Sequence, residues 1–349
     1  MLRLNIAVST AVYVSLKRCF VKCLIFEAMI VVTGAAGFIG SALLGKLQRE
    51  GFGNLVAVDD FSISAKKVNF EGKKLLHLIN RNDFPSWLRN NPEHIQAILH
   101  IGARTDTSEF SDEVLTELNL NYSIELWKLC TEFSIPFIYA SSAATYGDGS
   151  LGFADNISVL PKLQPLNPYG WSKHHFDLWV MQQKQTPPFW AGFKFFNVFG
   201  PNENHKGRMA SVVFHAYNQI RETGGMKLFR SHKVNVADGE QQRDFIYVMD
   251  VVDVLLHFME HRKNSGLYNL GTGVARSFKD LTLAVFSAMN LKPHIEYIDI
   301  PEDIRDKYQY FTQADTANLR SAGYLKPFTS MEDAVKDYVS QYLDKQSFY

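Results

Sequence analysis

The chain has 349 residues, 46% of them hydrophobic, and its 36 Lys and Arg balance 36 Asp and Glu. That balance gives no global field to draw in nucleic acid or an anionic membrane, and the length suits one large globular domain or two smaller ones. Cys19, Cys23 and Cys130 are an odd and sparse set, which argues against a disulfide framework and fits a reducing, cytoplasmic setting; no companion His or Cys stands near the first two, so no metal site is expected.

Residues 1–28 carry Arg3, Lys17, Arg18 and Lys22 against Glu27 around an apolar run from Ile6 to Leu16. The run is too short to span a bilayer, its basic residues follow rather than precede it, and Phe26-Glu27-Ala28 is a poor cleavage site. An added or mis-assigned leader ahead of a start at Met29 is the expectation, with an amphipathic surface anchor as the alternative.

From Met29 the β-branched run Ile30, Val31, Val32 suits a strand buried on both faces. The next residues place glycines at 34, 37 and 40. Gly34 permits a tight turn, Gly37 lets a pyrophosphate approach the backbone, and Gly40 lets the following helix pack closely. The helix N-terminus then offers N–H groups to an anion. A second strand, Leu55 to Val58, ends in Asp59, where a carboxylate can accept from an adenosine ribose and so favours NAD. Asp60, Lys66, Lys67 and Arg81 complicate that choice, because a cation there could take a 2′-phosphate.

Further apolar runs at Leu75 to Ile79, Ala97 to Ile101 and Phe137 to Ala140 alternate with helical periodicity such as Val114, Leu115, Leu118, Leu126, Leu129 and Phe133. The alternation predicts an α/β fold with a Rossmann-type, doubly wound parallel sheet over 29–200. After Phe199-Gly200-Pro201 the texture changes, and 201–349 is expected to form a smaller, mainly substrate-binding α/β part with some chain crossing back to the sheet. Strands are expected there near Lys227 to Phe229, Leu267 to Leu270 and His294 to Ile298.

Ser141-Ser142-Ala143-Ala144 follows the Phe137 strand, and Pro168-Tyr169-Gly170-Trp171-Ser172-Lys173 opens a helix. Tyr169 and Lys173, at i and i+4, share a face. An ammonium beside the phenol, whose ordinary pKa is about 10, would favour its ionised form, as removal of an alcohol proton requires. A chance YxxxK pair is commonly surface decoration; its place after a Ser-Ser strand end and a glycine-rich opening reverses that reading.

The glycine triplet, the Ser142 region and Tyr169/Lys173 together resemble the extended short-chain dehydrogenase/reductases that modify nucleotide sugars, over essentially all of the chain from Met29. Phe195 to Pro201, Asn204 to Ser211 and Tyr308 to Asp315 sharpen the resemblance toward those that invert C6 of an ADP-heptose for lipopolysaccharide inner core. It implies one tightly held NADP per subunit, with NAD as the alternative, an ADP-heptose substrate and a homo-oligomer, a pentamer. It also implies roles: Tyr169 and Lys206 as the two proton acceptors, Ser142 on the reacting oxygen, and Lys173 on the cofactor ribose.

By the same likeness, Gly34, Gly37, Phe38, Ile39, Gly40, Asp59, Asp60, Lys66, Arg81, Ile101, Gly102, Ala103, Arg104, Thr105, Asn121, Lys173, Val198 and Lys206 fall at cofactor-contacting places. Ser142, Asn197, Arg208, His215, Phe229, Arg230, Ser231, His232, Arg243 and Tyr308 fall at substrate-contacting ones. Arg243 has an independent rationale, since a guanidinium grips diphosphate oxygens in a fork; an ion pair with Asp244 or Asp250 is its plain structural alternative. Departures from the pattern are Arg208 for a smaller polar residue, Ala35 for a glycine, and Leu120, which unsettles the asparagine contact. Another nucleotide-sugar epimerase or dehydratase stays open, as does a catalytically idle cofactor-sensing protein. A dehydratase needs an acid beside Ser142, which Ala143-Ala144 does not supply.

Overall fold

A computed structural model describes residues 28–105, 111–305 and 308–349. The expected leader, with Cys19 and Cys23, lies outside the described residues.

Seven parallel strands form the main sheet: β1 (Met29–Thr33), β2 (Leu55–Asp59), β3 (His77–Asn80), β4 (Ile95–His100), β5 (Phe137–Ser142), β6 (Trp190–Phe195) and β10 (Gly266–Leu270), in the order β10-β6-β5-β4-β1-β2-β3. The order reverses at β1, which lies between β2 and β4, and a crevice opens there at the carboxyl ends of the strands. Every residue of β1 and β2 is buried. Because successive side chains alternate sides, Ile30 and Val32 join the core on one face, while Met29 and Val31 join the other with Trp127 and Phe137. The doubly wound sheet is therefore present as the sequence predicts.

Helix α1 (Phe38–Arg49) follows β1, α2 (Phe84–Asn90) follows β3, and α3 (Tyr122–Glu132) precedes β5. A helical lead-in, Asp112–Leu115, enters α3 through a wide π-helical turn, Thr116–Asn121. Helix α4 (Pro168–Met181) leads into β6, capped by Asn167 whose side chain accepts from Gly170 N at 2.8 Å. Beyond residue 200, β9 (Gln242–Tyr247) pairs with β7 (Asn197–Phe199) and β11 (Ala275–Ser277), and β8 (Met226–Phe229) pairs with β12 (Ile295–Ile298).

Two differences from the sequence reading are informative. Strand β6 has no strand signature because Gly192 and Lys194 interrupt its apolar run, yet it lies inside the sheet between β5 and β10. A Cβ on Gly192 would come 2.4 Å from the Tyr139 ring, and Lys194, 1% exposed, is paired to Asp177 at 2.5 Å. Strand β10, expected in the later part, hydrogen-bonds to β6 and completes the main sheet.

His100, at the end of β4, is 2% exposed between Thr33 Oγ1 at 2.7 Å and Ser123 Oγ at 2.9 Å. Burial, then the Lys173 charge, holds it down at about 3 from the ordinary 6.5. Between those values the unfolded chain binds the extra proton, so this group costs stability as pH falls below 6.5, by up to about 1.4 kcal/mol per pH unit. Urea unfolding from about pH 7 to about pH 5 is expected to weaken the wild type more than His100→Gln; equal weakening would contradict this.

Candidate active site

The glycine loop joins β1 to α1. Gly34 has φ +66°, and a Cβ there would lie 2.5 Å from Gly102 Cα; one on Gly40 would lie 2.1 Å from Gly34 O. Only glycine lets the turn and the helix approach this closely. Gly37 is the N-cap of α1 without a side-chain cap, which leaves N–H groups at that helix end for an anion.

The Asp59 carboxylate faces this loop. It accepts from Ala36 N at 2.9 Å, from Asp60 N at 2.7 Å and from Lys66 Nζ at 3.0 Å. Arg81 Nη2 reaches Asp60 at 3.4 Å, and Arg81 Nε is buried without a partner among the described residues. Lys66 and Arg81 thus place two cations beside the acidic pair Asp59 and Asp60 at the end of β2. Gly102 N donates to Thr33 Oγ1 at 3.2 Å and closes the Ile101, Gly102, Ala103 side of the crevice, while Arg104 and Thr105 are exposed.

The two asparagines of the π-helical turn have different surroundings. The π-helical turn directs Asn119 inward, 1% exposed, where it accepts from Arg104 N at 2.7 Å and donates to Ser172 Oγ at 3.0 Å. Asn121 is exposed and donates to Glu117 at 3.1 Å. A helix places residues two apart on different faces, and here Asn119 takes the buried face and Asn121 the exposed one.

Ser142 ends β5 and accepts from Ala144 N at 3.1 Å, which fixes its hydroxyl at the strand end. Tyr169 hydrogen-bonds to it: burial raises the phenol pKa, and this bond opposes the rise. Lys173 Nζ donates to Ala140 O at 2.9 Å, and burial, countered by Asp177, lowers its pKa to about 8. A cation beside the phenol, such as an ammonium or an oxidised nicotinamide, opposes the rise that burial gives Tyr169.

Lys206 lies in the loop after β7. Its Nζ stands 5.2 Å from the centre of the Phe38 ring, and burial, countered by Glu203, lowers its pKa. Glu203, fully buried, organises the loop: its carboxylate accepts from Ser211 N at 2.5 Å, Ser211 Oγ at 2.6 Å and Gly200 N at 3.4 Å. Nothing in the sequence marks Glu203, since a loop glutamate is ordinarily solvated. Its only signal is spacing, eight residues before a helix-capping serine.

At the opposite end, Arg243 on β9 donates to Gln242 O at 2.8 Å and to Gln309 O. Its guanidinium carbon is 5.4 Å from the Phe278 ring centre and 5.5 Å from that of Tyr308. Neither candidate acid pairs with it, because Asp244 accepts from Thr272, Gly273 and Ala314, and Asp250 from Thr329. Phe229 meets Tyr308 edge-on at 5.8 Å. Ser231 N donates to Asp238 and His232 N to Tyr310 OH, whereas Arg230 points to Asp299 at 3.8 Å. Asn197 is exposed and Val198 half-buried on β7, and exposed His215 is 3.3 Å from Arg208 O. A buried cation flanked by aromatic rings can bind a nucleoside diphosphate.

Among the described residues no helix is long and apolar enough to cross a membrane, and no cluster of His, Cys, Asp and Glu could hold a metal. Residues 30–271 match the NAD dependent epimerase/dehydratase family. An ADP-L-glycero-D-manno-heptose-6-epimerase of Fusobacterium nucleatum is 46% identical over 331 residues, covering 92% of this chain and all of that protein. One of Nitratidesulfovibrio vulgaris is 48% identical over 317 residues, covering 90% and 98%. The crystal structure of the Helicobacter pylori ADP-L-glycero-D-manno-heptose-6-epimerase superposes with a TM-score of 0.77 at 28% identity, covering 91% of this chain and 96% of that one. With the glycine loop, Ser142, Tyr169 and Lys173 in these positions, the chain belongs to the NAD dependent epimerase/dehydratase family.

Proposed function

We propose that the chain is an isomerase that interconverts ADP-D-glycero-β-D-manno-heptose and ADP-L-glycero-β-D-manno-heptose by inversion at C6, supplying the lipopolysaccharide inner core, and that it works in the cytoplasm as a homo-oligomer, a pentamer. The observation that carries the reading is that Tyr169, hydrogen-bonded to Ser142 at the end of β5, and Lys206, in the loop after β7 against Phe38, stand on separate elements, as two proton acceptors for one inverted carbon require. The names of the 46% and 48% identical relatives point to the same reaction.

The C–H at an unactivated secondary alcohol is not acidic, so no acid–base route inverts it. When bound, one NADP per subunit supplies the acceptance and return of hydride at C6. Tyr169 takes the hydroxyl proton from one C6 configuration and Lys206 from the other. Ser142 donates to the oxygen as it becomes a carbonyl. Arg243, Phe229 and Tyr308 hold the ADP end while the C6 side group turns over. Lys206, lowered by burial, is more often neutral than a solvated lysine and so more often available to accept a proton. An idle cofactor-binding protein would need the glycines but neither base.

Purified protein given ADP-D-glycero-β-D-manno-heptose should yield the L-glycero epimer by NMR; an unchanged sugar with cofactor bound sinks the reading. For the cofactor, Lys66 and Arg81 would hold the 2′-phosphate. Lys66→Ala with Arg81→Ala is expected to raise the NADP dissociation constant by about 10²–10⁴-fold, from two charge-assisted bonds of about 1.5–3 kcal/mol each. NAD binding should change less, which fluorescence titration of both dinucleotides measures; equal changes would contradict a 2′-phosphate site.

A further inference from the structure

The turn Ser64–Asn69 after β2 touches two parts of the site at once. At one end Lys66 holds Asp59 at 3.0 Å. At the other, Asn69 is 1% exposed, with its amide nitrogen 3.0 Å from Ala36 O, 3.1 Å from Asn202 O and 3.1 Å from His205 Nδ1. The first acceptor belongs to the glycine loop, and the other two to the stretch immediately before Lys206. We propose that Asn69 is a positioning residue that couples seating of the dinucleotide on the glycine loop to the placement of Lys206. The proposal rests on the reading of Lys206 as a proton acceptor.

Chemistry selects the donors of Asn69 as its purpose. Its Oδ1 is buried without a partner among the described residues. A buried carbonyl left unpaired carries a penalty, so an apolar side chain would serve plain packing better. The amide nitrogen carries two hydrogens, which the three acceptors Ala36 O, Asn202 O and His205 Nδ1 share. Burial, with the charges of Lys66 and Lys206, holds His205 down at about 4, against a hydrogen bond to the Asn202 backbone, so it stands neutral in this contact.

The Asn202 side is clamped. Its side chain donates to Ser41 Oγ at 3.0 Å and Tyr349 O at 3.1 Å and accepts from Tyr349 N at 2.9 Å. Its own φ is +77°. Lys206 N donates back to Glu203 O at 3.0 Å. With Asn202 and Glu203 fixed, a displacement of Ala36 by bound cofactor reaches Lys206 through Asn69 and His205.

The test uses the full chain and two variants, Asn69→Ala and the nearly isosteric Asn69→Asp, which keeps the volume and loses the donors. Hydrogen–deuterium exchange across residues 200–210 is followed with and without saturating NADP. The wild type should slow on cofactor binding; both variants should still bind NADP but show little slowing. In turnover, Asn69→Asp should lower kcat by about 10–100-fold, the scale of a misplaced catalytic group, with KM for the sugar nucleotide within about threefold. In a Lys206→Ala background the same change should cost less than about threefold, because Asn69 acts through Lys206. Retained cofactor-dependent slowing, or a full loss of kcat on top of Lys206→Ala, overturns the proposal, as does failure of both variants to fold. If the wild type does not epimerise ADP-heptose, the functional reading fails while the exchange comparison still decides the coupling.

Discussion

Tyr169→Phe is expected to lower kcat for epimerisation by about 10²–10⁴-fold, the usual contribution of a positioned general base. The fold should persist, because the variant removes one hydroxyl whose bond to Ser142 is worth about 1 kcal/mol. Lys206→Ala should fall equally far. Both directions of epimerisation pass through both bases, so each variant should slow forward and reverse turnover by the same factor and leave the equilibrium ratio of epimers unchanged. The half-reactions separate the two: each variant should still produce reduced nicotinamide absorbance from one epimer and not from the other. Lys206→Arg should fail like the alanine variant, because a guanidinium does not give up its proton. Since burial lowers Lys206, its limb of the pH–rate profile should lie below the ordinary lysine range, acidic in the direction where it takes the proton and alkaline in the reverse, and should disappear in Lys206→Ala. Near-normal rates in both Tyr169→Phe and Lys206→Ala would remove the two-base assignment.

Lys194→Met is expected to destabilise the protein by about 3–5 kcal/mol, the scale for breaking a buried ion pair from one side. Asp177 is fully buried and receives Lys194 Nζ at 2.5 Å, Ser141 Oγ at 2.7 Å and Tyr139 OH at 3.1 Å. Without the ammonium, the carboxylate keeps two neutral donors and no counter-charge. Adding Asp177→Leu should return part of the loss, since an apolar pair can replace a buried ionic one. The return should be incomplete, because Thr145 Oγ1 also bonds Lys194 at 2.8 Å, and Ser141 and Tyr139 would be stranded. Urea unfolding of the three proteins measures this, and a loss under about 1 kcal/mol for Lys194→Met would show that the pair is not the pin between α4 and β6. The pair lies directly beneath the site: Asp177 supports the charge on Lys173, four residues back along α4.

The parts of the site that could be read from the sequence are those whose chemistry is local. Gly34 and Gly40 announce a tight turn by their spacing within one strand-to-helix junction, although the approach of Gly102 to Gly34 shows only in the fold. Tyr169 and Lys173 are brought to one face by helix geometry alone. In the sequence Arg243 is open to a ligand grip or an ion pair; in the fold Asp244 and Asp250 are committed to Thr272, Gly273, Ala314 and Thr329 instead.

The sequence by itself therefore determined the parallel α/β sheet, the dinucleotide loop and the Ser142–Tyr169–Lys173 group, because period-two and helical patterns and glycine sterics act within a few residues. Only the tertiary structure decided that Lys194 is an interior strand residue, that Asn119 is buried and Asn121 exposed, that Lys173 donates to Ala140 O, and that Glu203 and Asn69 are buried against the Lys206 loop. Several of these depend on a partner far along the chain, as with Asn69 and His205, 136 residues apart. Burial there turns side chains that solvent would otherwise claim into obligatory hydrogen-bonding groups.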